Sequence, residues 1–395
     1  MAGNRRDHCH DAPTSAPTGQ LMDVSLLREP AYCSGAWRAA DSGATIEVID
    51  PATQDRIGTV PDMGADETRA AIDAAQAAFA LWRALAPQER SKFLRAWFNL
   101  IVENREDLAI IMTLEQGKPI AESRGEIDYA ASFVEWFAEE SKRLEGEMPA
   151  SHLPNRLMTV RREPVGVAAA VTPWNFPSAM ITRTAAAALA AGCTTIVRPA
   201  SETPFSALAL AVLAERAGFP PGTFSVLTGR PRPIVGELCA NPLVRAVSFT
   251  GSTEVGKQLL KQGADSVKRM SMELGGHAPF ILFADVDLDE AVEAALDAKF
   301  QTSGQDCLAA NRIFVHADIY EAFVHRFAKR VRALKVAGGF EPGAQIGPLM
   351  HASAVEKCDA HVRDAVARGA RLLAGGQAHP RGKLFLRADR ACRRR

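Results

Sequence analysis

The chain has 395 residues, of which 47% are hydrophobic and 23% charged, with equal numbers of basic and acidic side chains. Its length exceeds what one compact core organises and implies at least two domains. Balanced charge, with no basic block before the last six residues, excludes an electrostatic footprint for nucleic acid or an anionic membrane, and no apolar run approaches the roughly 20 residues of a membrane helix. Small molecules are the expected partners.

Residues 1–21, "MAGNRRDHCHDAPTSAPTGQL", are rich in Pro, Thr and Ala and lack the apolar centre of a signal peptide, so they read as a disordered tail with folding from Met22. The seven cysteines, at 9, 33, 193, 239, 307, 358 and 392, form no Cys-x-x-Cys pair and no framework, which fits a reducing, cytoplasmic setting. "DHCHD" at Asp7–Asp11 has no second ligand cluster elsewhere, so no metal site is expected.

From Ala65 to Ser132 apolar residues recur at three- and four-residue spacing, predicting amphipathic helices with Asp66 as the first N-cap. Tyr129, Phe133 and Phe137 share one helix face, as a core stripe or as the wall of a substrate tunnel. After Gly146 short β-like runs ("VGVAAAVT", "CTTIVR", "TFSVL", "RAVSF", "APFILF") alternate with helical ones, the pattern of an α/β doubly wound parallel sheet. In the helix after "CTTIVR", Thr203 is the expected cap, Pro204 suits the first turn, and Gly218 with Pro220 ends it. "TPWNFP", "RPASETP", "LTGRP" and "FTGSTEVG" fall at strand ends, where such sheets bind ligands.

No Gly-x-Gly-x-x-Gly stands at a strand-to-helix turn in the dinucleotide manner. In its place "FTGSTEVGK", Phe249 to Lys257, runs from a strand into Gly251-Ser252 at a helix start, where exposed N–H groups favour a phosphate; the same glycines also serve as plain turn punctuation. "KFQTSGQDCLAANR" sets Cys307 just after a Gly-containing turn among polar side chains, a place for a reactive thiol as much as for a small buried one. In "SMELGGHAP" a carboxylate, Glu273, ends an apolar strand. It is either paired with a nearby cation or a general base with a raised pKa.

"TPWNFP", "FTGSTEVGK", "MELGG" and "GQDC", in this order, resemble the NAD(P)-dependent aldehyde dehydrogenases, over roughly Met22 to Lys383. "FPSAMITR", "AGCTTIVRPASETPFSALALA" and "SVKRMSMELGGHAPFI" are most similar to the succinate-semialdehyde dehydrogenases of that family. The resemblance implies a cofactor domain over 22–145 and 165–274, an oligomerisation hairpin at 146–164 and a second α/β catalytic domain over 275–383. It implies that Cys307 attacks an aldehyde, that the Asn175 amide with the Cys307 N–H holds the oxyanion, and that Glu273 activates the hydrolytic water. Trp174, Arg198, Pro199, Ala200, Ser201, Gly251, Ser252 and Leu274 match the family's nucleotide contacts. Ser201, where an acid would repel a 2′-phosphate, admits NADP as well as NAD. Arg183 and Gln301 match positions facing the substrate, with the Arg183 guanidinium suited to the far carboxylate of a semialdehyde.

Four positions depart from the family: Gln301 stands where arginine is usual, which bears on substrate choice, and Thr184 and Arg198 each replace a lysine near the cofactor. The fourth is the C-terminus, beyond which the family continues through a nicotinamide-ribose glutamate and the strand that joins subunits, so an incomplete catalytic domain and a doubtful homo-oligomer are expected. One inserted nucleotide would convert the family's Leu-Phe-Phe-Glu-Pro-Thr-Val-Leu-Ala-Asp into the Leu384–Arg394 stretch, and 384–395 is expected to be such a shifted-frame tail. A native basic terminus is the other reading. Three other functions stay open: a dehydrogenase for another aldehyde, an inactive remnant that binds nucleotide, and cofactor-free ester hydrolysis by Cys307 and Glu273.

Overall fold

The computed structural model describes residues 20–377, 379–382 and 384–386, and residues 390–392 by backbone alone. Residues 1–19, with Asp7–Asp11, lie outside the described residues, as do 387–389 and 393–395 of the proposed shifted-frame tail. Leu21, the last residue of the proposed tail, is buried in the core.

Two short antiparallel pairs come first, β1 (Ala31–Cys33) with β2 (Ala36–Arg38) and β3 (Thr45–Ile49) with β4 (Arg56–Pro61). The predicted helical stretch is four helices: α1 (Ala65–Ala84), α2 (Pro87–Glu103), α3 (Arg105–Gln116) and α4 (Ile120–Glu140). Asp66 is not the cap of α1. Gly64 holds that position, the Glu67 carboxylate accepts the Gly64 N–H at 2.8 Å, and Asp66 instead pairs with Arg69. Glu147 and Val160 bridge in antiparallel fashion across an otherwise exposed stretch.

The alternating half follows as β5 (Val167–Val171), α5 (Ala179–Ala190), β6 (Thr194–Arg198), α6 (Pro204–Arg216), β7 (Phe224–Val226), α7 (Pro231–Ala240), β8 (Val244–Gly251), α8 (Thr253–Gly263) and β9 (Arg269–Leu274). One seven-stranded sheet runs β2-β1-β7-β6-β5-β8-β9, with β5 to β9 parallel and β1 antiparallel to β7. Successive strand residues face opposite sides. Val167, Ala169, Val171, Ile196 and Val247 pack with α1, α7 and α8, while Ala170, Val197 and Val226 pack with α2 to α6. On that second face Trp82 and Trp97 are fully buried and donate their indole N–H groups to Leu189 O (3.1 Å) and Leu210 O (3.0 Å), which ties α1 and α2 to α5 and α6.

Thr203 stands at the N-cap of α6, yet its hydroxyl has no partner; the buried Glu115 carboxylate takes the Phe205 and Ser206 N–H groups instead. Burial pushes Glu115 up to about 8. Pro204 in the first turn and Gly218 at φ +83° after the end stand as expected.

"APFILF" does not join the main sheet. It forms β10 (Pro279–Leu282), which pairs in parallel with β11 (Arg312–Val315) across α9 (Leu288–Phe300). Gly275-Gly276 lets the chain leave the first sheet, and a short apolar run carries no information about which sheet it enters. α9 and α10 (Tyr320–Ala333) cover this pair through Val292, Leu296, Phe323 and Phe327. α11 (Ala352–Ala367), β12 (Arg371–Ala374) and β13 (Arg390–Cys392) follow, with β12 and β13 antiparallel. Among the described residues no helix is long and apolar enough to cross a membrane.

Candidate active site

Strand order reverses at β5, between β6 and β8, and ligands of open α/β sheets settle at such a switch point beyond the carboxyl ends of the strands. The loops after β5 (Thr172–Pro177), β6 (Pro199–Ser201), β8 (Gly251-Ser252) and β9 (from Leu274) all open there.

Asn175 sits in the first of these loops, half-buried, with its side-chain amide donating to Gln305 O at 2.8 Å and its own carbonyl accepting from Lys118 Nζ at 2.7 Å. Gln305 belongs to the loop that carries Cys307. That loop leaves α9 through three residues of left-handed backbone, Thr302 (φ +51°), Ser303 (φ +58°) and Gly304 (φ +75°). A β-branched residue there is strained and persists only where its surroundings hold it. Glu122 Oε2 accepts the Thr302 N–H at 2.9 Å, and the Ser303 hydroxyl bonds both Gly347 O (3.1 Å) and Gly347 N (3.0 Å).

The turn presents Cys307 on the surface. Partial burial of the sulfur and the adjacent Asp306 carboxylate push the thiol above its ordinary range. Because only the thiolate reacts, Asp306→Asn is expected to speed iodoacetamide alkylation of Cys307 near neutral pH and to move its pH profile toward lower values. An unchanged profile would leave burial, with the Glu273 charge, as the cause.

Glu273 lies opposite Thr250 at the end of β9, exposed, and pairs with Arg183 of α5 at 3.3 Å. The cation partner of the first reading of Glu273 is Arg183. Two half-exposed side chains gain about 0–1 kcal/mol from such a pair, so the contact is easily exchanged. A methyl group at Gly276 would lie 3.3 Å from the Cys307 carbonyl oxygen, so this glycine lets the Cys307 backbone approach the strand end. Gln301 is exposed at the start of the strained turn, and the Thr184 hydroxyl bonds Met180 O within its own helix.

Of the cofactor candidates, Pro199 and Ala200 are buried and Ser201 is half-buried at the end of β6. The Arg198 guanidinium is 5% exposed and turned inward, donating to Ser201 Oγ at 2.7 Å and Gly229 O at 2.8 Å; its Nε has no partner, and burial lowers it to about 10. Ser252 caps α8 by accepting the Val255 N–H at 3.3 Å and is exposed, leaving that helix start open to an anion. The glycines of "FTGSTEVG" also pack: Gly251 lies against the Phe249 ring and Gly256 against the Leu274 side chain, where added methyl groups would collide at 2.5 and 2.7 Å. Trp174 meets His351 edge-on, and His351 approaches Glu202 at 3.4 Å.

Tyr129 is exposed with its ring tilted against Phe133 at 4.5 Å between centroids, and Phe137 packs on the main core. Glu115, Lys118, Glu122 and Glu126 were absent from the sequence-based set, because charged residues in a helical pattern ordinarily mark the solvent face; His351, in the loop before α11, carried no motif signal.

Residues 37–387 match the aldehyde dehydrogenase family. The chain is 54% identical over 366 residues to the glutarate-semialdehyde dehydrogenase of Pseudomonas aeruginosa, covering 93% of this chain and 76% of that protein. Identity and both coverages are the same for the NADP-dependent succinate-semialdehyde dehydrogenase of Escherichia coli. The crystal structure of succinate-semialdehyde dehydrogenase from Burkholderia pseudomallei superposes with a TM-score of 0.92 at 54% identity, over 94% of this chain and 77% of that one. Architecture, motif order and similarity agree: the chain is an oxidoreductase of the aldehyde dehydrogenase family.

Proposed function

We propose that this protein oxidises an aldehyde bearing a distal carboxylate, succinate semialdehyde first, to the acid with NADP or NAD. The observation that carries this reading is the meeting of Cys307, Asn175, Glu273 and Arg183 at the switch point of the sheet. The two relatives compared above are named for semialdehydes that carry such a carboxylate.

In this reading the Cys307 thiolate adds to the aldehyde carbon, forming a C–S bond. The oxyanion so created takes the Asn175 amide, released from Gln305 O, and the Cys307 N–H. The chemistry a nicotinamide would supply when bound is acceptance of hydride from that carbon, which would leave the acyl group on Cys307 as a thioester. Glu273 then takes a proton from the water that displaces the thiolate, which requires it to leave Arg183. A substrate carboxylate is a natural replacement partner for the guanidinium. The cofactor site fits a phosphate-bearing nucleotide: the open N-terminus of α8, the orphaned Arg198 Nε and the uncharged Ser201 lie along one edge, and none would repel a 2′-phosphate.

The domain assignment that goes with this reading is 22–145 with 165–274 for the cofactor and 275–383 for catalysis. The exposed 146–164 stretch, with Met148, Leu153 and Leu157 facing solvent, is the proposed subunit contact. Its setting is the cytoplasm.

The test compares kcat/KM for succinate semialdehyde, glutarate semialdehyde and butanal in wild type and Arg183→Leu. A charge-assisted contact of about 1.5–3 kcal/mol predicts a preference of roughly 10–150-fold for the charged aldehydes, lost in the variant. Equal rates on butanal would favour the second reading, a dehydrogenase for an uncharged aldehyde, for which Gln301 on the exposed start of the turn speaks.

A further inference from the structure

Beneath the Asn175 loop and the turn before Cys307 lies a sealed group of charges that none of these steps uses. α3 ends at Gly117, whose φ of +85° reverses the chain and delivers Lys118 under the site. Lys118 is 2% exposed and Glu126 4%. The Lys118 ammonium donates to Glu126 Oε2 at 2.5 Å and to Asn175 O at 2.7 Å, reaches Thr302 Oγ1 at 3.5 Å, and lies 4.5 Å from the centre of the Phe176 ring. The other oxygen of Glu126 accepts the N–H groups of Ser178 and Ala179 where α5 begins. One turn earlier on α4, Glu122 accepts the Thr302 N–H at 2.9 Å.

Buried ion pairs contribute little net stability compared with apolar packing of the same volume. Every buried donor and acceptor of such a cluster needs a partner, and this cluster draws its partners from the two loops of the site. Here the ammonium grips the main chain of Asn175 and the side chain of Thr302, and a carboxylate grips the main chain of that same strained turn. We propose that Lys118 and Glu122 are positioning residues for the aldehyde oxidation, holding the Asn175 loop and the left-handed Thr302–Gly304 turn in one register, so that the Asn175 amide and the Cys307 N–H converge on a single oxyanion. The inference rests on the roles proposed above for Asn175 and Cys307.

The electrostatics supply a signature. Burial raises Glu122 to about 7, with Lys118 drawing it down and Glu126 and Asp306, on the facing loop, pushing it up. Above that value the carboxylate grips Thr302 fully. Below it the added proton weakens the acceptor and loosens the turn, so kcat falls as pH drops through about 7.

The experiment measures kcat, KM and their pH profiles for NAD(P)H formation from succinate semialdehyde, with thermal melting alongside. Lys118→Met alone strands the Glu126 charge, so the informative variant is Lys118→Met with Glu126→Gln. Loss of alignment between two oxyanion donors predicts a kcat lower by about 10- to 100-fold with KM and melting temperature little changed. Glu122→Leu is expected to lower kcat by about tenfold. Glu122→Gln, whose neutral amide still accepts from Thr302 as the protonated carboxyl does, holds kcat at the wild type's low-pH level across the range and abolishes the fall near pH 7. A folded double variant with wild-type kcat, or a Glu122→Gln enzyme that keeps the fall, overturns the inference. Should the double variant not fold, the Glu122 pair decides. A wild type that forms no NAD(P)H from any aldehyde overturns the catalytic reading and this inference with it, whereas an active wild type with unaffected variants overturns this inference alone.

Discussion

In Cys307→Ala, NAD(P)H formation from succinate semialdehyde falls to background, a loss on the order of 10⁴-fold or more, as when the nucleophile of a covalent mechanism is removed. Cys307 is exposed and makes no core contact, so the variant should melt with the wild type. In the wild type, the rate of thiol alkylation should climb as pH rises toward and beyond the ordinary thiol range, since partial burial and Asp306 disfavour the thiolate. A Cys307→Ala protein that still oxidises aldehyde would place the nucleophile elsewhere, and Cys358, half-buried on α11, would be tested next.

Asn175→Ala should lower kcat by about 10²- to 10³-fold, the cost of one oxyanion donor. KM should change far less, because the amide meets the charge only after the thiolate has added. In the structure the amide donates to Gln305 O at 2.8 Å, so the ground state already has a partner, and the gain on oxyanion formation is the difference between a neutral and a charged acceptor. The substitution spares the Asn175 carbonyl and its bond to Lys118, so the loop keeps its anchor and the loss reports the amide alone. A kcat within about fivefold of wild type would remove Asn175 from the oxyanion site, given the larger effect such donors have.

The elements most legible in the sequence were those whose signal is local. "VGVAAAVT", "CTTIVR", "TFSVL" and "RAVSF" became β5 to β8, since β-enriched runs between glycines and helical periods leave few alternatives, and parallel strands with helical crossovers must stack into one sheet. "APFILF" read equally well as a strand, yet it pairs with β11, because pairing depends on where Gly275-Gly276 redirects the chain. Thr203 matched the composition of an N-cap, but the side chain of Glu115 from α3, whose two oxygens accept the Phe205 and Ser206 N–H groups, took over the capping of α6. The chemistry-bearing side chains were legible by type and by motif. A cation partner for Glu273 was one of two open readings, but Arg183 was not named as that partner, since the two lie 90 residues apart.

What the sequence determined by itself is the alternation of strand and helix, and with it the parallel sheet and the motif residues that gather along one edge of it. What only the tertiary structure decided is the frame that aligns them. Lys118 reaches Asn175 across 57 positions and Thr302 across 184, and Glu122 reaches Thr302 across 180. No local window holds both ends of such a contact. A charged residue in a helical pattern reads as solvent-facing until the fold buries it, and once buried it needs a partner that the packing alone supplies.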